Sequence, residues 1–474
     1  MLFKRIFHDK LAQASYLLGC QRAEVAVVVD PNRDIDRYID AAAIEGLRIT
    51  HVTETHIHAD FVSGARDLAR KTGAQLYLSG TGGHDWAYAF ATESSATLLE
   101  DGSHFMVGDV RIDALHTPGH TPEHMTFLVT DTVAGTVPMG ALTGDFIFVS
   151  DVGRPDLLET AAGLVGTKEA SARDLFKSIQ KFKALPDYLQ LWPGHGAGSA
   201  CGKALGAMPQ STLGYERIFN WGLAESDEDA FVQQVLSGQP EPPAYFAMMK
   251  RLNRDGPPPR TRVLAPRISA RDVAARLREG APVVDTRVTA DFGERHAAGS
   301  VNIPHTRSFL NWAGALLPYD RDIFLIVPDG GQQAVIDELS LIGLERIGGV
   351  YGLRSLADLE SAGVEMRSTP QVSIDAVNQR AGNGQVILDV RAPDEWDRGH
   401  IPGAVHLPLG SLQSRLDEVP AGVHIAVHCQ GGSRSAIAAS ILQKNGFEVS
   451  NITGGFAEWE RSGHEVERGG SPGG

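Results

Sequence analysis

Thr55-His56-Ile57-His58-Ala59-Asp60 sets two imidazoles and a carboxylate at alternate positions, directly after an apolar run that reads as a strand. In a loop after a strand, alternate side chains can converge on one point, and neutral imidazole with carboxylate is a ligand set for zinc or iron. Three further candidates sit beside glycine: His120 in Thr117-Pro118-Gly119-His120, Asp145 in Thr143-Gly144-Asp145, and His195 in Pro193-Gly194-His195-Gly196. Glycine lets backbones pack closely and leaves the neighbouring side chain free to enter a shared cleft. A second chemistry is carried by His428-Cys429-Gln430-Gly431-Gly432-Ser433-Arg434-Ser435. A short apolar strand ends at Cys429, turns through glycines and enters a helix, so loop amides and the helix N-terminus form a positively polarised cradle. Arg434 adds a full positive charge. Both effects favour a thiolate nucleophile at Cys429, and the same cradle would hold a persulfide or an oxyanion such as sulfite. Cys201, six residues beyond His195, reads either as a small buried hydrophobe or as a thiol that receives or positions sulfur beside the metal cleft. Cys20, in an apolar strand, reads as buried structure.

These residues need elements to hold them. Glu24–Val29, Ile49–Glu54, Gln75–Ser79 and Thr126–Val129 read as buried strands, with amphipathic helices over Ile35–Glu45 and Ala65–Thr72 between them and Asp34 as a cap of the first. Strands alternating with helices predict a layered α/β domain over residues 1–250. Pro257, Pro258 and Pro259 in succession fit neither a helix nor a central strand, and mark a semi-rigid linker over 251–268. The chain then repeats itself. Asp285-Thr-Arg287 recurs 104 residues later as Asp389-Val-Arg391, and at the same offset His296, Gly299 and Pro304 match His400, Gly403 and Pro408. Val327-Pro328-Asp329-Gly330-Gly331 matches His428-Cys429-Gln430-Gly431-Gly432, and Gly348-Gly349 matches Gly454-Gly455. Two small α/β copies follow, over 269–366 and 367–468, with a flexible glycine-rich tail at 469–474. The first copy lacks the loop chemistry: Pro328 stands where Cys429 does and Gln333 where Arg434 does. Its Asp285 and Arg287 then read as a structural ion pair.

Composition narrows the function. The chain of 474 residues has 43 Lys and Arg against 58 Asp and Glu, a net charge of −15, which argues against nucleic acid or an anionic membrane as partner. No apolar run reaches the length of a membrane helix. Lys4 and Arg5 followed by His8, Asp9 and Lys10 do not make a signal peptide. Three cysteines make no disulfide framework, so a reducing cytoplasm is the expected compartment.

The four metal segments, in this order, resemble the metallo-β-lactamase superfamily, which implies an αββα sandwich with metal at the edge of its two sheets. The superfamily's common motif is HxHxDH; here Phe61 stands where the final histidine would, so a second metal held by Asp60 and His195 lacks a ligand. His56, His120 and Asp145 remain as a two-histidine, one-carboxylate set that suits non-haem Fe(II) and dioxygen, with His58, Asp60 and His195 orienting ligands or lining the cleft. Within the superfamily the chain is similar to the persulfide dioxygenases, on His56–Gly64, His116–Pro122, Thr143–Asp145 and Gly153-Arg154-Pro155-Asp156. That resemblance implies one Fe(II) per chain on His56, His120 and Asp145, no organic cofactor, and Arg154 near a thiol persulfide such as glutathione persulfide. Arg154 and Asp156 read equally as a salt-bridged structural turn. After His195, Gly196-Ala197-Gly198-Ser199-Ala200-Cys201 replaces the Asp-Tyr pair of glutathione-specific members, which leaves the carrier thiol open.

The stretch Asp389-Val390-Arg391, Glu395–Ala404 and Gly454-Gly455-Phe456-Ala457-Glu458-Trp459 resembles the rhodanese family. The six residues from Cys429 to Arg434 match the family's sulfur-transferring loop; related phosphatases use one residue more. The resemblance implies Cys429 and Arg434 as catalytic residues, with Gln430, Gly431, Gly432, Ser433 and Arg398 binding sulfur or anion, and the middle copy as an inactive rhodanese-like domain. The fold expected is therefore α/β, a metallo-β-lactamase sandwich followed by two rhodanese-like domains. The function expected is a persulfide dioxygenase fused to a sulfurtransferase in sulfide detoxification. Its partners would be thiol persulfide, O2 and sulfite or thiosulfate, and a homo-oligomer is compatible with it. The alternative is a zinc-dependent thioester hydrolase of the hydroxyacylglutathione type, and a third class is a scaffold whose rhodanese modules only dock partners.

Overall fold

The computed structural model describes the chain apart from residues 158, 160–165, 200, 204, 240–241, 244, 261–263, 381–384 and 470–474, and the side chains of 378–380. It divides into two compact units, Met1–Thr261 with Leu341–Gly343, and Arg262–Ser340 with Leu344–Gly474.

In the first unit, β1 (Leu2–His8), β2 (Gln13–Cys20), β3 (Val25–Val29), β4 (Arg48–Thr53), β5 (Gln75–Ser79) and β6 (Thr97–Leu99) form one sheet in chain order. A second sheet holds β7 (His104–Val107), β8 (Val110–His116), β9 (Met125–Asp131), β10 (Gly140–Gly144), β11 (Gln190–Pro193) and β12 (Ser211–Thr212), again in order. Because strand side chains alternate between faces, β2 sends Ala14, Tyr16 and Leu18 into a core with Phe105, Ile112, Phe127, Leu142 and Trp192 of the other sheet. Leu17, Ala26 and Val28 face the other way, onto Tyr38, Ala42 and Leu68 of helices Asp36–Ile44 and Ala65–Thr72. On the outer face of the second sheet, helix Lys168–Phe182 buries Ala172, Leu175, Phe176, Ile179 and Phe182, a one-face repeat, against Leu128, Ala141 and Leu191. The layers are helix, sheet, sheet, helix.

Two local expectations differ. Asp34 does not cap Asp36–Ile44, whose N-cap position is Ile35 with no side-chain hydrogen bond; the Asp34 carboxylate instead takes Arg260 at 3.2 Å, a full charge being the stronger partner. The linker does not begin at 251. Residues 251–255 complete helix Phe246–Asp255, which buries Phe246, Met249, Lys250 and Asn253, and extended chain starts only at Gly256 before the prolines. The tail expected at 469–474 lies outside the described residues from 470 onward.

The second unit contains an antiparallel pair of short strands, β14 (His296–Ala297) and β18 (Met366–Arg367), and two larger sheets that share one topology. β13 (Val283–Asp285), β15 (Val301–Asn302), β16 (Ile323–Pro328) and β17 (Ile347–Leu353) lie in the order β15-β13-β16-β17. β20 (Gln385–Asp389), β21 (Val405–His406), β22 (His424–His428) and β23 (Val449–Ile452) lie in the order β21-β20-β22-β23, with β19 (Gln371–Val372) added at the edge. All pairings within the two larger sheets are parallel. The repeat extends to side chains. Arg287 forms a bidentate pair with Asp285 and Arg391 with Asp389, each closing at 2.6 Å. His296 stacks on Phe292 at 3.9 Å as His400 does on Trp396 at 3.6 Å. Each His Nδ1 meets the carbonyl four residues back, which fixes the turn after the helix.

Candidate metal centre and thiol loop

β4 delivers the loop Thr55–Asp60 to the edge of the sandwich, and β10 and β11 end beside it just before Asp145 and His195. The ligand atoms of His56, His120 and Asp145 lie within 4.8 Å of one another, and all three residues are buried. Nε2 of His120 is 3.5 Å and Nε2 of His56 3.9 Å from Oδ2 of Asp145. Each imidazole is oriented from behind. His56 Nδ1 donates to Thr55 Oγ1 at 2.9 Å, and that hydroxyl donates to Asp30. His120 Nδ1 donates to the carbonyl of Arg154 and His195 Nδ1 to that of Ala12, both at 3.1 Å. With Nδ1–H so engaged, the lone pair of every Nε2 faces Asp145. Burial holds His56 well below the usual imidazole range, with neighbouring histidines adding to it, and burial lowers His120. Both are thus neutral, as ligation requires. Both oxygens of Asp145 are buried without a hydrogen-bond donor. A buried, unsatisfied carboxylate is costly unless a cation compensates it, so the donor set fits a divalent metal.

The second histidine of the motif is turned away. Burial alone would lower His58, but Asp30 lies 3.2 Å from Nε2 and pushes it up to about 9. A protonated imidazole has no lone pair for a metal. Phe61, fully buried, packs on the same ring at 4.4 Å. Asp60, His195 and Cys201 form a second buried group with ligand atoms within 4.8 Å of one another. Nε2 of His195 lies 3.4 Å from Oδ2 of Asp60 and 3.4 Å from Oδ1 of Asp145, so Asp145 stands between the two groups. Cys201 therefore lies in the cleft. Burial raises its thiol well above the ordinary range, and the charges of Asp145 and Asp60 add to this, so it is protonated there. Arg154 is fully buried, with its guanidinium on Asp156 at 3.0 and 2.6 Å. The salt-bridged turn is what the structure shows, and its backbone carbonyl positions His120. Glycine is needed where the segments meet: a Cβ at Gly194 would stand 2.8 Å from Asp145 Oδ1, and Gly119, at φ +141°, would drive one into Leu175.

Four residues of this region escape sequence reading. Asp30, at the end of β3, holds the Thr55 amide and hydroxyl and His58. His124 accepts the Asp145 amide at Nε2 and pairs Nδ1 with Thr117. Glu123 accepts the Ile57 amide at 2.7 Å, and burial pushes its carboxyl up to about 7. Lys250 lies with its ammonium 3.6 Å from the centre of the Trp86 ring. The only sequence signal was the Glu123-His124 pair directly after the His120 turn.

At the second site Cys429 directly follows β22, almost fully buried. The amide of Gly432 donates to Sγ at 3.1 Å and the hydroxyl of Ser435 at 3.5 Å. Gly432, at φ +101°, turns the chain into helix Ser433–Lys444. Gly454 and Gly455 start the last helix, so that Phe456 N bonds the carbonyl of Cys429 at 2.8 Å and Ala457 N that of Gln430 at 3.0 Å; a Cβ at Gly455 would collide with the Cys429 carbonyl. Two cationic expectations change here. Arg434 is held bidentately by Glu395, at 2.5 and 2.7 Å, so it brings no net charge to the loop. A planar guanidinium matches a carboxylate edge to edge, and Glu395 is fixed by its own bond from the Ala392 amide. Arg398 is exposed and pairs with Asp394 one helical turn back, so it does not reach the loop. In the middle copy Pro328 occupies the end of β16 with neither a nucleophile nor an N–H.

The model of the metallo-beta-lactamase superfamily matches residues 8–195, and that of the rhodanese-like domain residues 373–462. A crystal structure of a metallo-beta-lactamase from Staphylococcus aureus subsp. aureus COL is 42% identical, with a TM-score of 0.67, over 74% of this chain and 98% of that one. The probable polyketide biosynthesis zinc-dependent hydrolase BaeB of Bacillus velezensis is 27% identical over 213 residues, 45% of this chain and 85% of BaeB. The mitochondrial persulfide dioxygenase ETHE1 of Bos taurus is 28% identical over 201 residues, 41% of this chain and 68% of ETHE1. The chain spans about half the length of several further curated relatives it matches. The fold, the metal-ligating cleft and these likenesses make the chain a member of the metallo-beta-lactamase superfamily that also carries a rhodanese-like domain.

Proposed function

We propose that the first unit is a persulfide dioxygenase with one Fe(II) held by His56, His120 and Asp145, and that Cys429 exchanges sulfane sulfur with sulfite and thiosulfate. The observation that carries this is the three-ligand set itself: His58 is paired to Asp30 and Phe61 offers no donor, which leaves two imidazoles and one carboxylate. Such a set with open positions suits non-haem iron and dioxygen chemistry, and the similarity to ETHE1 supports it. Iron bound there would activate both persulfide and O2.

The overall change is R–S–SH + O2 + H2O giving R–SH, sulfite and two protons. The chain's own residues orient and exclude. Thr55, the Arg154 carbonyl and the Ala12 carbonyl fix the imidazoles; Asp60, His195 and the protonated Cys201 form the polar wall opposite His56 and His120; Phe61 and Phe148 close the cleft with apolar surface. His195 Nε2, between two carboxylates, is placed to hold a proton released there. At the thiol loop, sulfur on Cys429 passes to sulfite: the Cys–S–S bond breaks, the new S–S bond of thiosulfate forms, and the thiolate left on Cys429 is met by the Gly432 amide and the Ser435 hydroxyl. The middle copy is an inactive rhodanese-like domain in this reading. Among the described residues no helix is long and apolar enough to cross a membrane, and three free thiols suit the cytoplasm.

One observation favours a second reading. Asp60, His195 and Cys201, with Asp145 between the groups, could hold a second metal, as a zinc-dependent thioester hydrolase would need. Oxygen uptake by the Fe(II)-loaded full chain with a series of thiol persulfides, with sulfite assayed in parallel, decides between them. Stoichiometric uptake and sulfite are expected. Two zinc ions per chain with thioester hydrolysis and no uptake would overturn the dioxygenase reading.

A further inference from the structure

Lys250 is 8% exposed, and among the described residues its side chain makes neither a hydrogen bond nor an ion pair. Its ammonium is held only by the face of Trp86, at 3.6 Å. Glu123 is the strongest negative influence on it and Asp85 a weaker one, yet neither makes an ion pair with it, and burial keeps the Glu123 carboxyl partly protonated near neutrality. Lys250 and Trp86 line, with Ile57, His120, Thr121 and Leu157, a small cavity with ~10 Å³ of room, enough for one water or for the single oxygen of an anionic group that displaces it. His120 belongs to the metal centre, so this cavity adjoins it. A buried ammonium without a counterion is unfavourable, and a cation–π contact offsets only part of that. Burial displaces Lys250 downward accordingly. An uncompensated cation aimed into a pocket beside a metal ligand calls for an anion supplied from outside the chain.

We infer that Lys250, seated on Trp86, is the subsite that receives an anionic group of the substrate, and that it thereby sets the preference for thiol persulfides bearing negative charge. The inference rests on the dioxygenase reading for its substrate, though not for the existence of the anion site. The group bound is either a carboxylate of the carrier thiol or the ionised terminal sulfur of the persulfide. A matched pair of small donors separates these: the persulfides of 3-mercaptopropionate and of uncharged 3-mercaptopropanol.

Oxygen uptake by the holoenzyme is measured with both donors for wild type, Lys250→Met and Lys250→Arg. One charge-assisted contact corresponds to about 10- to 100-fold in affinity. If the carboxylate is bound, Lys250→Met raises KM for the propionate donor by that factor, leaves kcat within about twofold, and leaves the alcohol donor unchanged; Lys250→Arg restores most of the loss. If the persulfide sulfur is bound, KM rises equally for both donors. Unchanged KM for both overturns the inference. Binding of 3-mercaptopropionate itself is titrated anaerobically by calorimetry in the same variants. Should no donor consume oxygen, the dioxygenase reading fails, while the subsite still stands if wild type binds the thiol carboxylate about 10-fold or more tighter than Lys250→Met, and falls if it does not.

Discussion

Replacing Lys250 by Met removes one charge and little else. The methionine keeps the length of the side chain and a sulfur–aromatic contact on Trp86 of about 0.3–1.5 kcal/mol, close to the cation–π contact it replaces. Lys250 is pushed down to about 8 by burial. An ordinary lysine sits near 10.4, so the displacement corresponds to a ceiling of about 3 kcal/mol against the charged form, and to about 1–2 kcal/mol after solvent screening is discounted. The sign is definite. Below pH 8 the lysine is charged in both folded and unfolded chains, and the full penalty weakens the fold. Between pH 8 and about 10.4 the unfolded chain binds the extra proton, so wild-type stability rises with pH relative to the variant. Lys250→Met is therefore more stable than wild type by about 1–2 kcal/mol at pH 7, and the difference closes as pH rises through that window. Urea denaturation of the full chain reads this as a shift of roughly 0.5–1 M in the midpoint of the transition of the first unit. A variant equal to or weaker than wild type at pH 7, with a gap independent of pH, would show that the ammonium is compensated after all. Retaining a destabilising charge is intelligible as a binding device, since sites that act often cost stability.

Three further outcomes follow from the geometry. Cys429→Ser loses thiosulfate:cyanide sulfurtransfer and keeps oxygen uptake, because the two sites share no residue; loss of both in a folded variant would contradict that separation. Asp30→Asn weakens metal binding by about 10- to 100-fold, measured by competition with a chelator dye, because it disturbs the Thr55 bridge behind His56 and the partner that keeps His58 out of the centre. Gly194→Ala sets a methyl 2.8 Å from Asp145 Oδ1; metal content falls while the far-ultraviolet circular dichroism of the chain is kept.

The parts of this molecule that depend on local pattern were legible. Gln75–Ser79 and Ala65–Thr72 occur at the bounds the apolar pattern predicts, and the strand ends near Thr53 and before Cys429 fall where the loops need them. Gathering His56, His120 and Asp145 took a resemblance, because their spacing in sequence says nothing of distance in space. What was missed depends on partners remote in the chain. Arg434 counts as a free cation until Glu395, 39 residues earlier, takes both of its nitrogens. Asp34 is a sound cap by type, but Arg260, 226 residues later, offers a charge. Asp30 and Lys250 are single charged residues in otherwise ordinary segments, and only burial makes them significant. The triple proline marks a break in helix correctly, but it leaves the preceding residues free to be helical, as 251–255 are.

The doubled Asp–Arg pair and histidine stack of the second unit separate two kinds of selection within one chain. Both copies keep the buried carboxylate–guanidinium joint at 2.6 Å and the ring stacked after the helix, while only one keeps a nucleophile. Losing one member of such a buried pair costs about 3–5 kcal/mol, whichever copy it is in. A saturation scan scored by protein abundance should therefore find Asp285 and Arg287 as intolerant as Asp389 and Arg391, with residues 328–333 permissive. Scored by sulfur transfer, only the loop from Cys429 to Arg434 should add to that map. Architecture and reactivity occupy different residues here, so a change at the loop end of the middle copy leaves untouched the joint that holds its sheet together.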